Sequence, residues 1–209
     1  MKILPFGDRA LLINWPQRID PEINAEVHAW QRAIDRAQIK GVAYSIPAFC
    51  SLTLVFNPLE VSFATLKAEL ESLKVNTDGP PKSGRTFDIP VAYNGADLSA
   101  VARHTGLSTS EIIKQHSNRA YQVYMIGFLP GFPYLGPVPE PLHCPRKTTP
   151  RRSVPAGAIG LAGAQTGIYP FEAPGGWQII GQTPTPVFHP KAEAPFLLRA
   201  GDTVIFTPL

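Results

Sequence analysis

The distribution of glycine and proline along this 209-residue chain constrains its fold more than any other feature. Of the 17 glycines and 23 prolines together, 23 fall within residues 127–190 and three within 191–209. Proline stiffens the backbone, and glycine allows tight turns and close approach of neighbouring segments. Hydrophobic residues still make up 44% of the chain, which is typical of globular proteins and not of disordered ones. The chain therefore predicts two differently built parts, the second rich in short strands and structured loops.

Residues 1–80 have the pattern of a small α+β domain. The run 9–15 predicts a strand, and Asp20 followed by Pro21 predicts the N-cap and first turn of a helix. Two β-type runs, 42–49 and 51–57, separate this helix from a second one. The apolar stripes of the helices are Ile23, Val27, Trp30 and Ile34, and then Phe63, Leu66, Leu70 and Leu73. The order of elements predicts an α+β sandwich with both helices on one face of a sheet.

A linker is predicted at residues 76–85. This segment offers almost no apolar side chain to a core and is dense in turn-forming residues. The chain is therefore predicted to divide into domains at 1–80 and 86–209.

The second domain combines two short helices with many short strands. After a strand at 86–93, Asp97 and Ser108 each open a helix, and Glu111 completes a capping box with Ser108. The later β-type runs are 121–126, 158–162, 177–181, 196–199 and 203–206. Short strands punctuated by glycine and proline predict a closed or nearly closed β-barrel.

Charge and cysteine content exclude several classes of protein. With 19 basic and 16 acidic residues the net charge is +3, so we expect no nucleic-acid partner. Cys50 and Cys144 form no CxxC pair, which argues against a zinc knuckle or a disulfide framework.

No apolar run reaches membrane-spanning or signal-peptide length, so we expect a cytoplasmic protein with no membrane partner. Phosphate-loop, dinucleotide, nucleophile-elbow and zincin motifs are all missing from the sequence.

A cluster of basic residues stands in an otherwise weakly charged segment. The charged residues of 127–190 are Glu140, Arg146, Lys147, Arg151, Arg152 and Glu172. A guanidinium fork suits bidentate binding of a carboxylate or phosphate. A solvated basic turn is the more common origin of such a cluster. The residues alone leave both interpretations open.

Aromatic and glycine-rich segments surround that cluster in sequence. The run 127–136 (GFLPGFPYLG) is either a loop packed over a core or the wall of a binding site. The runs 165–170 (QTGIYP) and 174–177 (PGGW) add neutral hydrogen-bonding groups and a large ring, which indicates a pocket for a small polar molecule. His116 ends a predicted helix, where it serves either as a partner for free carbonyls or as a general acid or base.

Taken together, these segments resemble the KipI / allophanate hydrolase subunit 1 family, and most closely those of its members that form the B component of 5-oxoprolinase. The similarity rests on the three runs above, on the Pro145-Arg146 and Pro150-Arg151 pairs and on 154–157 (VPAG), and it extends over essentially the whole chain. Two positions depart from the family pattern. Ala158 stands where serine is common, and His189 stands where aspartate is common.

The resemblance implies a cyclophilin-like β-barrel for residues 86–209. It implies one component of an ATP-dependent 5-oxoprolinase, inactive alone, that opens 5-oxo-L-proline to L-glutamate together with subunits A and C. ATP and magnesium would then bind at a site shared with those partners. Other family members imply two alternatives, an inhibitor of histidine kinase autophosphorylation or an allophanate hydrolase subunit 1 (carboxyltransferase) component of urea degradation.

The resemblance and the residue chemistry together select the candidate site. Catalytic roles are predicted for His116, Arg146 and Arg151, and no metal-ligating set is predicted. The predicted substrate-binding residues are Tyr121, Phe128, Pro130, Phe132, Tyr134, Arg152, Gln165, Thr166, Tyr169, Gly175, Gly176 and Trp177.

Overall fold

The computed structural model describes residues 1–76 and 84–209. It divides the chain into two compact units, Met1–Lys82 and Ser83–Leu209. Most of the predicted linker at 76–85 lies outside the described residues. Among the described helices, none has both the length and the apolar character needed to cross a membrane.

The first unit is a four-stranded antiparallel sheet with two helices. The strands are β1 (Lys2–Pro5), β2 (Ala10–Asn14), β3 (Val42–Pro47) and β4 (Ser51–Phe56), in the order β1-β2-β4-β3. Helix α1 (Pro21–Ala37) begins where predicted, because the Asp20 carboxylate accepts hydrogen bonds from the N–H groups of Glu22 and Ile23. Helix α2 (Phe63–Ser72) follows β4.

Alternate residues of the sheet and the two helix stripes form a single core in this unit. The period of two along β2 and β4 buries one face of the sheet, and the helical spacing buries one stripe of each helix. The buried members include Leu11, Ile13, Leu52 and Leu54 from the strands and Ile23, Val27, Ile34, Leu66 and Leu70 from the helices. Strand β1 was not predicted and pairs with β2 at the edge.

The second unit is built on a curled seven-stranded sheet. Its strands are β5 (Thr86–Val91), β6 (Ala120–Ile126), β7 (Pro133–Gly136), β9 (Ala158–Ala162), β10 (Gln165–Ile168), β12 (Gln178–Gln182) and β13 (Thr203–Pro208), in the order β12-β9-β10-β7-β6-β13-β5. A separate two-stranded ribbon consists of β8 (Arg151–Val154) and β11 (Ala173–Gly175). Helices α3 (Leu98–Thr105) and α4 (Thr109–Ser117) lie between β5 and β6 in the chain, and α4 carries the predicted capping box.

The two edges of this sheet meet. Ala92, just after β5, and Gln182, in β12, exchange both backbone hydrogen bonds, each 2.9 Å long. The curled sheet encloses an apolar core that includes Ile89, Val123 and Leu161. This architecture is consistent with a cyclophilin-like fold.

The prediction of a strand at 196–199 is wrong. Phe196 forms only an isolated bridge with Phe188, and the residues after it make no strand. The apolar character of Leu198 reflects burial in the core and not a β-ladder. Short apolar runs are ambiguous in this way, because burial alone does not require strand pairing.

Candidate functional site

A cavity of about 300 Å³ in the second unit brings distant motif residues together. It lies between the segment after β6, the segment before β8 and the segment that carries β11. Its lining residues are Phe128, Tyr134, Arg146, Pro150, Tyr169, Pro174, Gly175, Gly176 and Trp177. Seven of these nine are predicted site residues, so residues from four separate runs of the sequence form one surface.

A larger cleft of about 490 Å³ lies in the first unit, between α1 and β3. Its polar lining includes Gln31, Asp35, Gln38 and Ser45 and contains no lysine or arginine. The cavity in the second unit has both a cation and a set of aromatic rings, as sites for small polar ligands usually do. We therefore take the smaller cavity as the candidate site.

Phe132, a predicted substrate-binding residue, lies outside the lining of this cavity and packs against four aromatic rings that do line it. Its side chain is completely buried, and it makes edge contacts with Phe128, Tyr134, Tyr169 and Trp177 at centroid distances of 4.9 to 5.6 Å. Edge-to-face packing of this kind stabilises aromatic clusters beyond their buried area. The lining rings are therefore held in fixed orientations by a side chain that does not itself line the cavity.

Two tyrosine side chains line the cavity, and both are neutral. Burial raises the pKa of Tyr134, and it also raises the pKa of Tyr169. Both hydroxyls therefore remain protonated at neutral pH. The Tyr169 hydroxyl is buried, whereas Tyr134 is partly exposed. The neutral phenol of Tyr134 can both donate and accept hydrogen bonds, which suits an amide or carboxylate ligand.

Arg146 supplies the positive charge of the cavity. Its side chain is exposed, and its guanidinium centre lies 5.9 Å from the centroid of the Trp177 ring. Within residues 1–76 and 84–209, no carboxylate forms an ion pair with it. Its charge is thus available to an anionic ligand, and the indole face supports the planar group.

Arg151 does not line this cavity. Its Nη2 donates to Asp97 Oδ1 at 2.5 Å, and it lines a second cavity of about 270 Å³ that Ala96 and Ser153 also border. Lys147 Nζ donates to the same Asp97 oxygen at 3.1 Å. The guanidinium of Arg151 is therefore engaged in an ion pair within the chain, and its catalytic role stays a prediction.

Asp97 makes ion pairs that the sequence reasoning missed. It was predicted to cap α3, but its side chain makes no capping bond there. Burial alone would raise the pKa of Asp97, but hydrogen bonds from Arg151, the Ile179 N–H and Lys147 lower it below the ordinary value of 3.8. The buried carboxylate is therefore ionised and holds two basic side chains.

Several other predicted residues lie away from the cavity. Pro130 and Arg152 are exposed to solvent outside it. Gln165 and Thr166 are buried in β10, and Tyr121 is completely buried. The substrate contacts predicted for these five residues are therefore not supported by their positions.

His116 is enclosed in the barrel core. Its Nδ1 is hydrogen-bonded to the Tyr93 hydroxyl at 2.7 Å, and its Nε2 to Thr166 Oγ1 at 2.9 Å. The ring stacks on Phe206 with a centroid distance of 4.7 Å. Burial lowers the pKa of His116 to about 3. A neutral ring with both nitrogens engaged and no exposed surface has a structural role here, so its predicted acid–base role is not carried forward.

This enclosure predicts a pH dependence of stability. The unfolded chain binds a proton at His116 near pH 6.5, but the folded chain does so only near pH 3. The free energy of unfolding should therefore fall as pH drops through this window, by up to about 1.4 kcal/mol per pH unit from this group. Urea unfolding of His116→Gln should show a shallower pH slope than the parent chain. The exposed His189→Gln variant is the control and should keep the slope of the parent chain. An equal slope in His116→Gln and the parent chain contradicts the prediction.

The carboxyltransferase domain family, subdomains C and D, matches residues 1–198 of the chain. The chain belongs to this family. Among its relatives, the B subunit of 5-oxoprolinase from Bacillus subtilis (strain 168) is 41% identical over 98% of this chain and 91% of its own length. The corresponding B subunit of 5-oxoprolinase from Haemophilus influenzae is 42% identical over 99% of this chain and 97% of its own length.

Solved structures also resemble this carboxyltransferase-family chain. The crystal structure of TTHA0988 is 38% identical, with a TM-score of 0.85 over 96% of this chain, which spans 40% of the TTHA0988 chain. The uncharacterized protein PH0987 of Pyrococcus horikoshii is 40% identical over 100% of this chain and 97% of its own, with a TM-score of 0.58. The Kluyveromyces lactis urea amidolyase matches 99% of this chain and 15% of its own chain, with a TM-score of 0.81. Its sequence identity is 19%, so this match shows the fold alone.

Proposed function

We propose that this chain is the B subunit of a cytoplasmic, ATP-dependent 5-oxoprolinase that opens 5-oxo-L-proline to L-glutamate together with subunits A and C. The observation that carries the proposal is the similarity to three proteins named as the B subunit of 5-oxoprolinase. Each is 41% or 42% identical over at least 97% of this chain. Similarity over nearly the full length of both this chain and its relatives favours a common function and not only a common fold.

The chemistry of the cavity supports this substrate. 5-Oxo-L-proline is a small ring that carries one carboxylate and one lactam. Arg146 offers a guanidinium for the carboxylate, and the Trp177 face offers an apolar surface for the ring. The partly exposed Tyr134 lies on the same wall, and its hydroxyl suits the polar edge of the lactam.

This chain does not fit a magnesium–ATP site by itself. The described residues contain no group of three or more histidine, cysteine, aspartate or glutamate side chains that could hold a metal ion. Both oxygens of the buried Asp97 carboxylate are already hydrogen-bonded. Magnesium is bound mainly by carboxylates and substrate phosphates. The proposal therefore assigns the metal and nucleotide ligands to the partner subunits, which meet this chain at a shared site.

The exposed rim of the cavity is consistent with a site that this chain shares with partner subunits. Phe128 is 61% exposed although its ring contacts the buried Phe132. Its backbone has φ of 66°, a left-handed conformation that costs about 1 kcal/mol or more in a residue other than glycine. Strain of this kind is concentrated at functional positions. An exposed aromatic side chain at the rim is suited to contact with a partner protein.

Reconstitution tests the proposal directly. We expect the purified chain, with ATP and magnesium, to release no glutamate from 5-oxo-L-proline, and the mixture with subunits A and C to release it. Each binary mixture is the control that shows which subunits are required. Full turnover by the chain alone contradicts the shared site, and inactivity of the complete mixture contradicts the proposed function.

A second candidate is a carboxyltransferase component of urea degradation. A putative urea carboxylase of Emericella nidulans is 28% identical over 112 residues, which cover 53% of this chain and 9% of that protein. The lower identity and partial coverage make this candidate weaker than the first. Urea-dependent ATP consumption in a mixture with a biotin carboxylase, without 5-oxoproline turnover, would favour it.

A further inference from the structure

The segment that carries Arg146 is attached to the barrel at three points. The Cys144 carbonyl accepts a hydrogen bond from the Gly163 N–H at 2.7 Å, and the Pro145 carbonyl accepts one from Gln178 Nε2 at 3.0 Å. The Lys147 N–H donates to the Gly176 carbonyl at 2.7 Å. The last bond ties the residue next to Arg146 to a residue that lines the cavity.

A single carboxylate pairs with both of the basic side chains on either side of this attachment. Lys147 and Arg151 both donate to Asp97 Oδ1, at 3.1 and 2.5 Å. Without Asp97, the segment 146–151 would hold three neighbouring cations with no anion between them. Like charges at this spacing repel, and the repulsion is strongest where water is partly excluded.

Asp97 is itself fixed to the barrel. Its Oδ2 accepts a hydrogen bond from the Ile179 N–H at 2.7 Å, and its own N–H donates to the Ile179 carbonyl at 2.8 Å. Its side chain is only 4% exposed. Two backbone-anchored bonds to β12 leave the carboxylate little freedom, so the segment it holds takes its position from the barrel.

We propose that Asp97 is a positioning residue that sets the place of Arg146 over the cavity through Lys147 and Arg151. The inference rests on the proposed function for the identity of the ligand, but the attachment of the segment does not depend on it. Asp97 touches no ligand in this arrangement, since it does not line the cavity. Its removal should therefore weaken substrate binding through Arg146 and leave the chemical step largely intact, which raises KM more than it lowers kcat.

The Asp202→Asn variant is a matched control for Asp97→Asn. Asp202 is also buried, accepts hydrogen bonds from the N–H groups of Arg85 and Arg199, and pairs with Arg85 Nη2 at 3.3 Å. It precedes β13 and does not line the candidate site. Loss of either buried carboxylate removes an ion pair, but only Asp97 holds the segment of Arg146.

Kinetics of the assembled complex form the first measurement. We expect Asp97→Asn to raise KM for 5-oxo-L-proline about tenfold, which corresponds to about 1.4 kcal/mol, with kcat within about threefold of the parent. Asp202→Asn should leave both constants within about twofold. A fall in kcat alone, or equal effects of the two variants, overturns the proposal.

Amide hydrogen exchange of the full chain is the second measurement, and it needs no substrate. We expect exchange at the Lys147 N–H to be at least about tenfold faster in Asp97→Asn and unchanged in Asp202→Asn. If the exchange responds in this way but the parent complex has no 5-oxoprolinase activity, the proposed function fails and the positioning role stands. If Asp97→Asn does not fold, Lys147→Met keeps the Asp97–Arg151 pair and should also speed exchange at residue 147. Unchanged exchange at that amide overturns the proposal.

Discussion

Replacement of Arg146 by methionine is expected to lower kcat/KM of the assembled complex for 5-oxo-L-proline by about 10- to 100-fold. A hydrogen bond to a charged group contributes about 1.5 to 3 kcal/mol, and each 1.4 kcal/mol is a factor of ten. Methionine keeps most of the apolar stem beside Trp177 and removes only the charged fork. Because the side chain is exposed, the free energy of unfolding should change by less than about 0.5 kcal/mol.

The Arg152→Met variant is the comparison that makes this result specific. Arg152 is also an exposed arginine of the same basic cluster, but it does not line the cavity. Its replacement should leave kcat/KM within about twofold of the parent. Equal losses in both variants would mean that the cluster acts by general attraction of anions. No loss in either variant would mean that the cluster is a solvated basic turn.

The helices of this fold could be predicted from local signals. Asp20 before Pro21 and Ser108 three residues before Glu111 are capping patterns whose hydrogen bonds form within a few residues, and both are present in the structure. The apolar stripe of α1 is likewise local, since helical geometry alone places its members on one face. Such signals need no knowledge of the rest of the chain.

Strands β7, β8, β10 and β11 were not predicted, because three or four residues carry no measurable alternation. Their neighbours are set by contacts between distant segments. In β10, all four residues are buried, so the pattern of one buried and one exposed face is lost. The pairing of Thr166 with Leu135 in β7 joins positions that no local rule connects.

The candidate site shows the same division between local and long-range information. Motif residues identified the wall of the cavity, but not which arginine faces it. Arg151 and Arg152 are adjacent in β8, where successive side chains point to opposite faces. Asp97 is about fifty residues from its basic partners, so its ion pairs have no sequence signal. The burial of His116 has no sequence signal either, because it depends on β10 and β13, which are distant in sequence and pack around the ring.

Gly175→Ala is expected to destabilise the chain by about 1 to 3 kcal/mol and to weaken binding of 5-oxo-L-proline. A Cβ atom at this position would overlap the Tyr169 hydroxyl and lie 2.8 Å from two carbons of its ring. Tyr169 is completely buried and packed against Phe132 at a centroid distance of 5.2 Å, so the ring has little space in which to move. Overpacking of a fixed core residue carries a cost of this size, and a displaced Tyr169 would alter the cavity that it lines.

The adjacent glycine provides the control for this prediction. At Gly176 the nearest atoms to an added Cβ are 3.7 Å away, which is an ordinary van der Waals contact. Neither glycine is among the residues with positive φ, so alanine introduces no backbone strain at either one. Urea unfolding should therefore place Gly176→Ala within about 0.5 kcal/mol of the parent chain and Gly175→Ala well below it. Equal stability of the two variants would show that Tyr169 can yield, and the cavity wall would then be a deformable surface and not a fixed one.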